Sequence, residues 1–267
     1  MLCNLHTHTT FCDGRNTAEE MVKTAIEKGF STLGFSGHGF TTPEEDYCMQ
    51  DTESYIREIF RLKAAYADKI QIYCGVEEDA TYPVSNRSAF EYILGSSHYL
   101  TIDGTVYSID ESLDAFKLCV DRMGGDYLKL AEAYYEAFCE YIFTHQPDII
   151  GHFDLITKYD ERLGNPFLDN KNYQQLSSSY IAKAAQSGAL FELNTGAIAR
   201  GHRSTPYPSE QLLYTLKKND AKIVINSDCH QAAMLDYYFQ EARALLRDIG
   251  FTHIYGFSHG GFIPETL

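Results

Sequence analysis

Along the chain, short apolar runs of four to seven residues alternate with longer stretches in which apolar residues recur every three or four positions. The runs read as strands: LCNL (2–5), STLGFS (31–36), IQIYCGV (70–76), FEYILGS (90–96), DIIGH (148–152), ALFELN (189–194) and KIVINS (222–227), with a weaker candidate at HIYGFS (253–258). The helical patterns lie at 17–29 and near 54–67, 112–144, 173–187, 209–219 and 236–249. In the first of them Thr17 and Glu20 have capping-box spacing, Met21, Val22, Ala25 and Ile26 form the apolar stripe, and Gly29 ends the helix. Repeated strand–helix units predict a parallel sheet, and their number predicts an α/β barrel rather than a small open sheet. Seven strands are one short of the familiar eight, so closure turns on the weak segment at 253–258.

Composition narrows this picture. With 267 residues, 44% of them hydrophobic, and no repeat, low-complexity stretch or linker, one domain over 1–267 is expected. The formal charge of −15 is spread along the chain without a basic run, which argues against a nucleic-acid partner, although a metal cluster reverses the sign inside a pocket. No apolar stretch approaches the roughly 20 residues of a membrane span, and the N-terminus lacks signal-peptide regions, so the expectation is a soluble cytoplasmic protein. Oligomeric state is not legible. The seven cysteines are scattered, odd in number and never in CxxC spacing, which fits reduced, mostly buried thiols. Cys12 and Cys229 stand apart because each lies inside a histidine-and-aspartate motif, where oxidation would disturb neighbouring ligands.

The histidines carry the chemistry. His6 and His8 follow the first predicted strand, His38 the second, His98 the fourth, His152 the fifth and His230 the seventh. Glu77 and Glu78 end the third, Asn194 the sixth, and Asp228 precedes His230. In a parallel barrel the C-terminal strand ends share one rim. A lone histidine is more often a satisfied core or surface residue, but six on one rim with several carboxylates point to a metal site. The donor set exceeds the three or four protein ligands that one zinc takes, so it implies at least two ions, of zinc, iron or manganese.

The motifs LHTHTTFCDGRN (5–16), FSGH (35–38), GVEED (75–79), LGSSHYL (94–100), IIGHFDLITKY (149–159), LFELNTG (190–196) and NSDCH (226–230) together resemble the PHP (polymerase and histidinol phosphatase) family, in its histidinol-phosphatase branch. The resemblance implies a distorted (β/α)7 TIM-like barrel with a trinuclear metal centre at the C-terminal strand ends. It also implies a ligand set: His6, His8, Glu77 and Asp228 for a first ion, Asp13, His38 and His230 for a second, and Glu77 as a bridge to His98 and His152 on a third. Related barrels often have a histidine near Asp13, and an acidic residue commonly stands where this chain has Gly37. The amidohydrolase barrel also begins with HxH and ends with an aspartate, but it relies on a bridging lysine for which no strand end here has a candidate.

Such a centre suits phosphate ester hydrolysis, with in-line attack by a metal-bridging hydroxide and with Glu77 counted among the catalytic groups as the bridge. Cations for the phosphate follow the fifth and sixth strands: Lys158 and Arg162, then Arg200 and Arg203. The resemblance implies that basic residues of these two loops grip the phosphate, with Lys158 where an arginine is common. Asp160 or His202 is the expected proton donor to the leaving alkoxide. The acidic loop 41–51 and Asp110 or Glu111 are candidates for a cationic part of the substrate, and equally read as solvated acidic surface. The resemblance implies a small phosphate ester, L-histidinol phosphate, as substrate. A phosphoesterase acting on nucleotides and a non-catalytic metal-binding barrel remain the alternatives.

Overall fold

The computed structural model describes residues 2–43 and 46–267. Its strands are β1 (Cys3–Asn4), β2 (Thr32–Phe35), β3 (Gln71–Asp79), β4 (Tyr92–Ser96), β5 (Tyr99–Ile102), β6 (Thr105–Ser108), β7 (Ile149–Ile150), β8 (Leu190–Asn194), β9 (Ile223–Asn226), β10 (His253–Ser258) and β11 (Gly261–Thr266). Seven of them pair in the order β1-β2-β3-β4-β7-β8-β9, every pair parallel. Just beyond β1 and β9 the ring is joined, because the His8 N–H donates to the Cys229 carbonyl (2.9 Å) and the Cys229 N–H to the His6 carbonyl (3.1 Å). The result is the nearly closed seven-stranded barrel that the sequence pattern predicts.

Alternation divides each strand between two environments. Outward-facing Leu33, Phe35, Ile72, Cys74, Val76, Ile93, Phe191, Leu193, Ile223 and Ile225 join the larger core beneath the helices. Inward-facing Cys3, Leu5, Tyr73, Tyr92, Leu94, Ile149, Leu190 and Val224 form a second cluster, with Phe257 of β10, in the lower half of the barrel. Tyr92 fills the centre of this floor, and its hydroxyl donates to the carbonyls of Leu5 (2.7 Å) and Phe35 (3.1 Å). Gly34 and Gly75 leave room for that side chain, since a Cβ at Gly34 would stand 2.4 Å from its hydroxyl oxygen and one at Gly75 2.3 Å from its ring. The floor carries the polar half of the barrel above it.

Three elements differ from the sequence pattern. The segment 253–258 lies outside the barrel sheet: β10 pairs antiparallel with β11, and this hairpin seals the N-terminal end through Phe257. The long helix near 112–144 is two helices, Leu113–Arg122 and Tyr127–His145, broken by Gly124 and Gly125 at positive φ. A hairpin of β5 and β6 also follows His98, turning at Asp103 and Gly104. The first helix, Ala18–Glu27, has the capping box read from Thr17 and Glu20. Among the described residues no helix is long and apolar enough to cross a membrane.

Candidate metal centre

β3 runs three residues past its apolar pattern, so Glu77 and Asp79 enter the barrel while Glu78 points outward to Arg87 and Tyr141. Glu77 is 2% exposed, and its two carboxylate oxygens divide five imidazoles between them. Oε2 lies 3.1 Å from His6 Nε2, 3.5 Å from His8 Nε2 and 3.0 Å from His38 Nδ1. Oε1 lies 3.4 Å from His98 Nε2 and 3.0 Å from His152 Nε2. On the β9 side, Asp228 Oδ1 approaches His8 Nε2 (3.3 Å), His6 Nε2 (3.6 Å) and His230 Nδ1 (3.6 Å). Asp13 completes the rim at 3.1 Å from His230 Nε2, 3.6 Å from His38 Nε2 and 3.7 Å from His8 Nδ1.

All nine candidate ligands read from the sequence thus meet in one place. Their donor atoms fall into four overlapping groups, His6 with His8 and Asp228, His8 with Asp13, His38 and His230, His6 with Glu77 and His152, and His38 with Glu77 and His98. The grouping differs from the expected three sets in making His6, His8 and His38 each common to two groups and in dividing His98 from His152. His6 Nε2, His8 Nε2 and Glu77 Oε2, which face one another in the centre, are buried without a hydrogen-bond partner. Buried polar atoms are nearly always satisfied, so this concentration of orphaned donors fits cations of borderline hardness held by nitrogen and oxygen.

The geometry of His6 depends on a residue that the sequence reading passed over. Glu192, in the middle of β8, accepts from His6 Nδ1 (2.9 Å), from Asn226 Nδ2 (2.9 Å), from Asn194 Nδ2 (2.8 Å) and from the His152 backbone N–H (2.7 Å). An ionised carboxylate only accepts, so this bond keeps a proton on His6 Nδ1 and leaves Nε2 as the nitrogen that a cation at the centre would take in exchange for a proton. Asp79 supports His98 through the main chain, its Oδ2 accepting the His98 backbone N–H at 2.7 Å. The alternation of β1 slips by one at this point: Leu5 belongs to the floor and His6 to the centre, with Asn4 Oδ1 accepting the His6 N–H at 3.1 Å.

Electrostatics inside the cluster run in opposite directions. Burial alone lowers the pKa of His6, but Glu192, Glu77 and Asp228 together hold it well above the ordinary histidine value. Burial lowers His8 to about 3, and the neighbouring His230 and His38 reinforce that effect. Burial raises Glu77, yet the surrounding imidazoles, His6 first, hold it well below the usual carboxylate range.

Above Glu77 opens a cavity of about 330 Å³ whose wall carries Lys158, Arg200, His202, Asp110 and Glu111. Arg200 donates to the Asp228 carbonyl (2.8 Å) and to Asp228 Oδ2 (2.7 Å), which ties it to the ligands. Burial lowers His202 to about 4, and Lys158 and Arg200 act in the same direction. Three expected site residues do not face this space. Asp160 is buried, and both of its oxygens are engaged by the backbone N–H groups of Phe167 (2.8 Å) and Leu168 (2.9 Å), so it closes a loop instead of donating a proton. Arg203 is buried over the Tyr207 ring and donates to Thr157 Oγ1 (2.7 Å) and Thr205 Oγ1 (3.0 Å). Arg162 is exposed beside Tyr159 and does not line the cavity.

Other expectations also meet particular side chains. At Gly37 an added Cβ would press on Cys12 Sγ and Met49 Sδ, both 3.2 Å away, so those sulfurs already occupy the space of the absent acidic side chain. The Cys229 thiol is buried, donates to the Gln231 carbonyl at 2.7 Å and is pushed up by burial to about 11, conditions that disfavour the thiolate needed for oxidation. In the acidic loop, Tyr47 stands edge-on to His38, while Glu44 and Glu45 lie outside the described residues.

Comparison with known proteins agrees with this geometry. The PHP domain profile matches residues 4–196. A Schizosaccharomyces pombe protein named probable histidinol-phosphatase is 26% identical over 93% of this chain and 87% of its own length. The Bacillus subtilis histidinol-phosphatase is 25% identical over 88% of this chain and 96% of its own. Among solved structures, one from Listeria monocytogenes superimposes with a TM-score of 0.77 at 21% identity, covering 89% of this chain and 98% of its own. The Lactococcus lactis histidinol phosphate phosphatase, crystallised with zinc, L-histidinol and phosphate, gives 0.69 at 21% identity, covering 97% and 98%. These two structures carry the fold, and the profile over nearly three quarters of the sequence, with every motif histidine brought to one rim, establishes that this chain belongs to the PHP domain family.

Proposed function

We propose that this chain is a metal-dependent phosphomonoesterase that hydrolyses L-histidinol phosphate, the histidinol-phosphatase step of histidine biosynthesis. The observation that carries the reading is one buried carboxylate, Glu77, shared by five imidazoles at the base of a cavity whose wall holds Lys158, Arg200 and His202. The names of the relatives and the contents of the Lactococcus lactis crystal support the choice of substrate.

His6, His8, Asp13, His38, Glu77, His98, His152, Asp228 and His230 would hold three divalent ions, with zinc supported by that same crystal. When bound, such ions neutralise phosphoryl oxygens and acidify water at neutral pH. The chain's own groups supply the rest. The Lys158 ammonium and the Arg200 guanidinium face the place of the phosphoryl oxygens and favour charge that builds there in the transition state. His202 is neutral in the free protein, held so by burial and by those two cations. A phosphate dianion lodged among the three offsets the cations and raises the proton affinity of His202, which then serves as acid toward the leaving oxygen.

The test is phosphate release from L-histidinol phosphate by manganese- or zinc-loaded protein, with nucleoside monophosphates and a phosphodiester run in parallel and His6→Ala as control. A kcat/KM at least about a hundredfold above the other esters, roughly 2.7 kcal/mol of discrimination, and lost in the control is the expected result. Comparable turnover of a nucleotide would move the reading to a nucleotide phosphoesterase, and no turnover by fully loaded protein would overturn it.

A further inference from the structure

The Lys158 ammonium does not stand free in the cavity. It donates to the Asp110 backbone carbonyl at 2.6 Å and to Asp110 Oδ2 at 3.0 Å, and the Tyr159 hydroxyl donates to the same carbonyl at 2.8 Å. The carbonyl and carboxylate of one residue thus form an acceptor pair already shaped to a primary ammonium, with the lysine head group as its occupant. The pair is rigidly placed. The adjacent Ile109 N–H donates to the His98 carbonyl (2.9 Å), and the Glu111 N–H donates to Ser108 Oγ (3.1 Å), so Asp110 is fixed relative to the metal ligands.

This ion pair sets a condition on what enters. A phosphate monoester that draws Lys158 toward its own oxygens leaves the Asp110 carboxylate, whose side chain is only 20% exposed, facing a dianion without a partner. An ester that also carries a primary ammonium a carbon or two from the phosphate satisfies both ends at once: its phosphate takes Lys158 and its ammonium takes the acceptor pair that Lys158 vacates. Each charge in the wall exchanges one partner for another, so this class gains while amine-free esters bear an uncompensated carboxylate. We infer that Asp110 is the specificity-determining residue of the cavity and receives the primary ammonium of an amino-alkyl phosphate monoester while Lys158 turns to the phosphoryl group. The inference rests on the phosphomonoesterase reading and adds to it the chemical group that is recognised.

The experiment compares L-histidinol phosphate with the analogue that lacks only the amine, an imidazolylpropyl phosphate, on the wild-type holoenzyme and on Asp110→Asn. The variant is expected to lose about thirtyfold more in kcat/KM on the amine-bearing ester than on the analogue. Calorimetry adds a readout independent of turnover: in Asp110→Asn the binding of L-histidinol weakens about tenfold, while inorganic phosphate binds no more weakly than before. Equal losses on the two esters, or a weakening of phosphate in step with L-histidinol, would show that Asp110 only steadies Lys158 and would overturn the inference. The unaltered protein tests the same point should the variant not fold, because a preference for the amine-bearing ester below about threefold also overturns it. Wild-type protein that hydrolyses neither ester defeats the phosphomonoesterase reading itself, an outcome distinct from the others.

Discussion

Within one barrel, the lower interior is Tyr73, Tyr92, Leu94, Ile149, Leu190, Val224 and Phe257, while a few residues higher the same strands present Glu77, Asp79, Glu192, Asn194 and Asn226. Both halves are buried, yet they are held by different physics. The floor is stabilised by apolar area and close packing, so what matters there is volume. The upper half consists of polar atoms in a dry setting, so what matters is whether each has its partner. The first half supplies stability and the second, backed by it, supplies chemistry.

The sharpest way to break this division is Glu77→Gln, which keeps the volume but removes the shared charge. Activity is expected to fall by on the order of a thousandfold or more with loss of bound metal, read by steady-state kinetics and metal analysis, while metal-free protein remains folded by circular dichroism. Gly75→Ala should do the reverse. The new methyl meets the Tyr92 ring, at a cost of about 3 kcal/mol in unfolding free energy by denaturant titration, with the kcat of the folded fraction within about twofold of wild type. A large fall in kcat per folded molecule would show that the two halves are not separable.

Glu192→Gln sharpens the boundary between them, because it alters the support of His6 without replacing a candidate ligand. Metal affinity or activity is expected to drop by about 10–100-fold, as measured by competition with a chelator. The smallest effect comes from pH. Since the neighbouring carboxylates hold metal-free His6 well above its ordinary pKa, its imidazole carries a proton that an incoming cation displaces. Affinity should therefore rise with pH, by about tenfold per unit for each proton displaced, until the raised pKa is passed. Calorimetry in two buffers of different ionisation enthalpy reads the proton release, and its absence would contradict the proposed ligand role of His6.

The rim was legible from the sequence because strand ends and histidines coincide in it, and all nine candidate ligands lie together at one end of the barrel. Glu192 was not, since it sits one alternation below Asn194 inside an apolar strand, away from the strand ends that carry the histidines. The signal was a lone charge in LFELN, which a buried strand tolerates only with partners. Asp160, Arg162 and Arg203 were misplaced for a different reason: in irregular loops no periodicity says which way a side chain points. The hairpin after His98 did have a signal, the Asp-Gly pair at 103–104 between alternating apolar residues, and Gly124-Gly125 announced the break in the long helix.

Tyr92, locked against two backbone carbonyls with Gly34 and Gly75 making space around it, has a kinetic consequence. It makes the reaction chamber blind-ended. The cavity above Glu77 therefore opens away from the N-terminal floor, toward the wall that carries Asp110, Glu111 and Arg200. Inorganic phosphate left against Glu77 and the imidazoles would occupy the place that the phosphoryl group of the next ester needs, so product inhibition competitive with the ester is the expected kinetic pattern.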